Sequence, residues 1–86
     1  MIRISFTATF VKQAKKLHGD LLEEVWEKIG SLKDKRNHKT LKVHKLHGQL
    51  SKCWSFYVNY KVRIVFEYTG KDEITCDSIG DHDVYR

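Results

Sequence analysis

Proline is absent from this 86-residue chain, and cysteine occurs only twice. No repeat and no low-complexity linker interrupts it, so a single small domain over residues 1–86 is expected. Neither Cys53 nor Cys76 lies in a C-x-x-C pair. Both are expected to stay reduced and to pack as small hydrophobes. No apolar run approaches the ~20 residues of a membrane span. Met1-Ile2-Arg3-Ile4-Ser5-Phe6 has neither the apolar core nor the cleavage site of a secretory signal, so a cytoplasmic location and no membrane partner are expected. A glycine-rich phosphate loop and a nucleophile elbow are also missing. His44-x-x-His47, with His82 and Asp81 or Asp83, offers only a loose ligand spacing, and H-E-x-x-H does not occur. No metal and no cofactor are expected.

What the chain does have is positive charge. Sixteen Lys and Arg against eleven Asp and Glu give +5 at neutral pH and a pI near 9.3. That balance suits an anionic partner, either nucleic acid or an acidic protein. Apolar residues make up 41%, enough for a globular core. A chain this short buries only roughly 60% of its unfolded surface, so that core is modest.

The first forty residues read as scaffold. Ile2, Ile4 and Phe6 alternate with Arg3 and Ser5, as in a half-buried strand. Thr7 is placed to cap a helix over 8–17, whose apolar stripe is Phe10, Ala14 and Leu17. His18-Gly19 ends it. Asp20, with Glu23 three residues on, reads as the capping box of a second helix with the stripe Leu22, Val25, Ile29 and Leu32. The short link between them predicts an antiparallel helical hairpin. Residues 36–40 form a polar connector, and Gly48 allows a sharp turn.

The second half is strand-like. Trp54, Phe56, Val58 and Tyr60 alternate with Cys53, Ser55, Tyr57 and Asn59. Val62, Ile64, Phe66 and Tyr68 alternate with Arg63, Val65 and Glu67. A three-residue turn at Asn59-Tyr60-Lys61 pairs Val58 with Val62 and Tyr57 with Arg63. The apolar face then carries the helices, and Tyr57 and Arg63 lie side by side on the other. Residues 69–72 form a turn, and 73–79 a further strand. The fold class is α+β in the order β-α-α-β-β-β: a small twisted, mainly antiparallel sheet with the helical hairpin on one face.

Three segments are similar to a known family. They are His44-Lys45-Leu46-x-Gly48, then Lys61 to Tyr68, then Ile79-Gly80-x-His82-Asp83-x-Tyr85. Together, in this order, they resemble the RelE/ParE toxin superfamily, and its YafQ-like branch in particular. The resemblance implies the RelE-like fold and the toxin of a type II toxin–antitoxin system. It implies an endoribonuclease that cleaves messenger RNA in the ribosomal A site, neutralised by a cognate antitoxin. ParE-like members instead poison DNA gyrase, and a binding module without activity is the third reading.

Carried over position by position, the resemblance assigns catalytic roles to His44, Arg63, His82 and Tyr85. Tyr57 and Lys61 depart from the YafQ-like pattern, which has histidine and aspartate there. Metal-free RNA cleavage needs a base for the 2′-hydroxyl, an acid for the leaving 5′-oxygen and a cation for the phosphorane. Histidine suits both proton roles, and arginine suits the phosphate. Lys45, Lys52, Tyr57 and Lys61 are candidates for substrate binding. The plain alternatives are an ion pair between Arg63 and Glu67, a surface role for His82, a loop-capping role for His44, and a packing role for Tyr85. Which histidine is the base stays open.

Overall fold

The computed structural model describes residues 1–81. Strand β1 is Arg3–Phe6, helix α1 is Ala8–Ala14 and helix α2 is Gly19–Leu32. Strands β2 (His44–Lys45), β3 (Trp54–Tyr57), β4 (Arg63–Gly70) and β5 (Glu73–Gly80) follow, with single 3-10 turns at Lys35–Asn37 and Gly48–Leu50. The sheet has five strands in the order β1-β5-β4-β3-β2. β1 runs parallel to β5, and every other pairing is antiparallel. The expected order therefore gains one element: β2, only two residues long and too short to show alternation, zips onto β3 through His44↔Ser55 and Lys45↔Trp54.

One face of the sheet packs on the helices. Phe56, Ile64, Phe66, Ile74, Cys76 and Ile79 meet Phe10 and Ala14 from α1 and Val25, Ile29 and Leu32 from α2. The expected stripes are thus the buried ones, apart from Leu17 and Leu22, which are half-buried. α1 is shorter than its periodicity predicts. Beyond Ala14 the chain tightens into i→i−3 bonds, Lys16 N to Gln13 O at 3.2 Å and Leu17 N to Ala14 O at 3.0 Å. Asp20 is not the cap of α2: His18 holds that place without a side-chain bond, and Asp20 sits in the first turn, where its charge still suits the dipole. Gly19, at φ +60°, takes the left-handed conformation that reverses the chain between the helices.

β5 contains the feature that sets the two faces. Phe66 pairs with Cys76 and Val65 with Ser78, so Asp77 is an extra, bulged residue. The bulge explains why the buried positions are Ile74, Cys76 and Ile79 rather than a strict alternation. It also places Gly80 opposite Arg63. α1 satisfies the polar groups that the bulge frees. Thr7 Oγ1 accepts from Phe10 N at 3.0 Å as the helix cap and donates to Asp77 O at 2.8 Å. Gln13 Oε1 accepts from Ile79 N at 2.8 Å.

Removing either partner should be felt by the whole domain. Thr7→Ala is expected to cost about 1–2 kcal/mol, since the helix cap and the carbonyl's partner go together. Gln13→Ala strands the Ile79 amide and is expected to cost about 1–3 kcal/mol. Urea denaturation measures both; losses below about 0.5 kcal/mol would mean that water replaces these bonds freely.

Candidate functional site

The sheet face turned away from the helices brings Tyr57, Arg63 and His44 together. The turn does this. Asn59 Oδ1 accepts from Lys61 N at 2.8 Å and from Val62 N at 2.7 Å, a side-chain turn closed by the bond from Val58 N to Val62 O at 2.8 Å. Tyr57 then pairs with Arg63, as the parity of the two strands predicts. The Arg63 guanidinium carbon lies 4.9 Å from the centre of the Tyr57 ring, a cation–π distance. The His44 ring approaches the same tyrosine, centre to centre 6.2 Å.

His44 is oriented by the backbone before it. Its Nδ1 lies 3.2 Å from the carbonyl oxygen of Lys42. A carbonyl only accepts, so that bond puts the proton of neutral His44 on Nδ1 and leaves Nε2 as a bare acceptor. The carbonyl is aimed by an unusual residue. Lys42 has φ +57°, a left-handed conformation that costs a side-chain-bearing residue about 1–2 kcal/mol. Bonds from Lys42 N to Lys39 O (3.0 Å) and from Val43 N to His38 O (3.0 Å) hold it there. The connector is itself tethered: His38 Nε2 lies 2.8 Å from Leu32 O, and its Nδ1 lies 3.1 Å from the Tyr68 hydroxyl. With Nε2–H donating to the carbonyl, Nδ1 accepts from tyrosine. His38 thus serves the scaffold, which no local pattern signals.

The remaining expected residues distribute unevenly. Lys61 is exposed in the turn beside Tyr57 and Arg63. Lys45 alternates with His44 and pairs with Trp54, so it projects from the opposite face of the sheet edge. Lys52 is exposed just before β3, away from the Tyr57 end of that strand. His47 is exposed and caps a 3-10 turn with its backbone alone. His82 and Tyr85 lie outside the described residues.

A second group on the same face was not expected from sequence. The Cys53 sulfur and carboxylate oxygens of Glu67 and Asp77 lie within 4.8 Å of one another. Cys53 Sγ donates to Asp77 Oδ2 at 3.8 Å. Burial, then the hydrogen bond and charge of Glu67, push Asp77 up to about 7, against the opposing effect of the Cys53 bond. Burial, with the two carboxylates beside it, also raises the Cys53 thiol and keeps it protonated. Among the described residues these are the His, Cys, Asp and Glu side chains near enough to share a metal ion. The signal in the sequence was Glu67 in an otherwise apolar run and Asp77 at the break in alternation.

The helical side of the molecule has a different surface. Phe6, Phe10, Val11, Ala14, Leu22 and Trp26 line an apolar groove of about 260 Å³ between α1 and α2, with Lys15 at its edge. Trp26 is 48% exposed and meets Phe6 edge-on, 5.7 Å between ring centres.

No protein-family model matches this chain, and no curated protein matches it. Solved structures do. The crystal structure of YafQ from E. coli strain BL21(DE3) superposes with a TM-score of 0.79 at 16% identity, over 99% of this chain and 98% of that one. The toxin–antitoxin complex RelBE2 from Mycobacterium tuberculosis gives 0.77 at 18% identity, over 94% and 98%. The YoeB–YefM complex from Staphylococcus aureus gives 0.76 at 19%, over 95% and 98%. At these identities the likeness establishes the fold: an α+β domain of the RelE-like kind along nearly the whole chain.

The carboxyl pair gives this face a pH signature. Asp77 binds its proton more tightly in the folded protein than in the unfolded chain, since its value rises from 3.8 to about 7. Its stabilising contribution is therefore complete below about pH 4 and is lost as pH rises through 7. Asp77→Asn is expected to flatten the stability profile in that window and to be the more stable protein at pH 8. Urea melts from pH 4 to 8 measure it; a variant that keeps the parent's slope would mean that Asp77 does not hold the shared proton.

Proposed function

We propose that this chain is the toxin of a type II toxin–antitoxin pair, a metal-free endoribonuclease that cuts messenger RNA in the ribosomal A site. The observation that carries the reading is the grouping of His44, Tyr57 and Arg63 on the sheet face away from the helices, within a fold shared with YafQ and the RelBE2 and YoeB–YefM complexes.

In this mechanism His44 Nε2, left bare by the Nδ1–H bond to Lys42, takes the proton of the 2′-hydroxyl. The 2′-oxygen attacks the adjacent phosphorus. Arg63 holds the charge that builds on the phosphorane oxygens, a task suited to its fixed fork of donors. Tyr57 stacks on a base or orients the strand. The 5′-oxygen leaves with a proton from a general acid, and we assign that role to His82, which follows Gly80 by two residues in the chain. Gly80 itself pairs with Arg63. The product is a 2′,3′-cyclic phosphate and a free 5′-hydroxyl. Tyr85 is assigned a place on the substrate, and Lys61 a phosphate contact.

The partner is a small acidic antitoxin, and both partners work in the cytoplasm. No helix among the described residues is long and apolar enough to cross a membrane. The groove lined by Phe6, Val11 and Trp26, edged by Lys15, suits an amphipathic segment whose acidic residues meet the net positive charge of the toxin.

Induced expression followed by primer extension on cellular messages is the test. The parent is expected to give discrete cuts. Arg63→Ala is expected to lose about 10²–10³-fold in rate, and His44→Ala about 10²–10⁴-fold, with melting curves near the parent's. Intact messages with a DNA-damage response would favour gyrase poisoning instead. An Arg63→Ala protein that cuts within a few-fold of the parent would remove the arginine from the mechanism. Trp26→Glu is expected to leave cutting intact while weakening the antitoxin complex at least tenfold, measured by co-purification and titration; an unchanged complex would move the antitoxin off this groove.

A further inference from the structure

A depression of about 270 Å³ opens beside the reacting group and shares Tyr57 with it. Lys28 and Ser31 of α2 form one wall, and Asn37, Thr40 and Lys42 of the connector form the other, over Leu41. Its volume lies just below the roughly 300–1,000 Å³ of drug-sized ligand sites. It suits one unit of a strand better than a whole small molecule.

The lining is one-sided in charge. It offers two ammonium groups, two hydroxyls, an amide and a phenol, and no carboxylate. Among the described residues neither Lys28 nor Lys42 is in an ion pair. Asn37 is fixed by donating its Nδ2–H to Ser31 O at 3.0 Å, which ties the two walls together. A pocket built this way favours an anion that also offers hydrogen-bond acceptors.

The backbone supplies the second observation. Lys42 is held at φ +57°, whereas the other left-handed residues described, Gly19 and Gly48, are glycines. A turn alone would be served better by glycine. The chain instead keeps a cation at this strained position, and strain retained against a cheaper residue is characteristic of ligand-binding positions. The same residue's carbonyl orients His44. One strained residue thus links the depression to the reacting histidine.

We propose that this depression holds the nucleotide next to the cleaved phosphate, with its phosphate between Lys28 and Lys42 and its base or sugar against Tyr57. The proposal rests on the ribonuclease reading above and deepens it. It makes Lys28 and Lys42 binding residues that set the strand's register across His44 and Arg63.

The test uses the full chain, labelled with nitrogen-15, and a single-stranded RNA tetranucleotide whose 2′-hydroxyls are methylated so that it is not cut. The amides of Ser31, Thr40, Leu41 and Lys42 are expected to shift together with those of Tyr57 and Arg63. The double variant Lys28→Gln, Lys42→Gly keeps the backbone conformation, because glycine accepts positive φ, and removes both ammonium groups. It is expected to bind at least tenfold more weakly, with a salt slope shallower by about 0.7 for each phosphate it no longer neutralises. Lys71→Gln, remote from the depression, is expected to bind like the parent. Shifts confined to His44, Tyr57 and Arg63, with the double variant binding as tightly as the parent, would overturn the subsite and leave the ribonuclease reading standing. No shift anywhere in the parent would overturn the subsite and, with it, RNA binding by this face.

Discussion

Thr7 and Gln13 hold β5 where it bulges, and much of the molecule depends on that grip. A bulge resets the side-chain alternation of a strand by one position. Here the reset returns Ile79 to the core and sets Gly80 against Arg63. Without it, the last residues of β5 would carry Ile79 to the face away from the helices and Gly80 into the core. The bulge leaves ladder groups unmatched, and part-buried backbone groups need partners. The first helix provides them, Thr7 for the carbonyl of Asp77 and Gln13 for the amide of Ile79. Helix packing, strand alternation and the residue that faces Arg63 are therefore coupled through two side chains.

The sheet separates two kinds of work. The helix-facing side is apolar and closely packed, and it keeps the strands from moving. The other side carries the candidate functional groups at the ends of strands and in the connector, where loss of packing is least costly. His44 is the clearest case. It stands on a two-residue strand that could not persist alone, and it is oriented by a carbonyl on a strained neighbour. Its tautomer follows from the Lys42 carbonyl rather than from Tyr57 or Arg63.

Much of this was legible in the amino-acid sequence because it depends on short-range rules. The Tyr57–Arg63 pairing follows from a three-residue turn between alternating strands, with Asn59 suited to make that turn. The buried stripe of α2 follows from spacing alone. What was not legible depends on distant partners. Glu67 and Asp77 are ordinary acids until the bulge brings them beside Cys53. His38 looks like one more polar connector residue until Tyr68 and the end of α2 meet it. The departure from alternation at Ile74, Cys76 and Ile79 was visible, but only the bonds from α1 explain it. The early end of α1 has the same origin: after Ala14 the chain must turn back towards α2, and periodicity does not record where a neighbour needs room.

The parallel pairing of β1 with β5 has a consequence in time. Arg3 lies opposite Glu73 and Phe6 opposite Cys76, so β1 docks on the last described strand, whose residues are made much later. Contacts this far apart in sequence close slowly, because the loop entropy is spent before they form. At about 5–20 residues per second, synthesis of the intervening chain takes several seconds. Throughout that interval β1 has no edge to join, and Arg63 has no Gly80 across from it. The sheet is thus joined across β1, β5 and β4 in one late step.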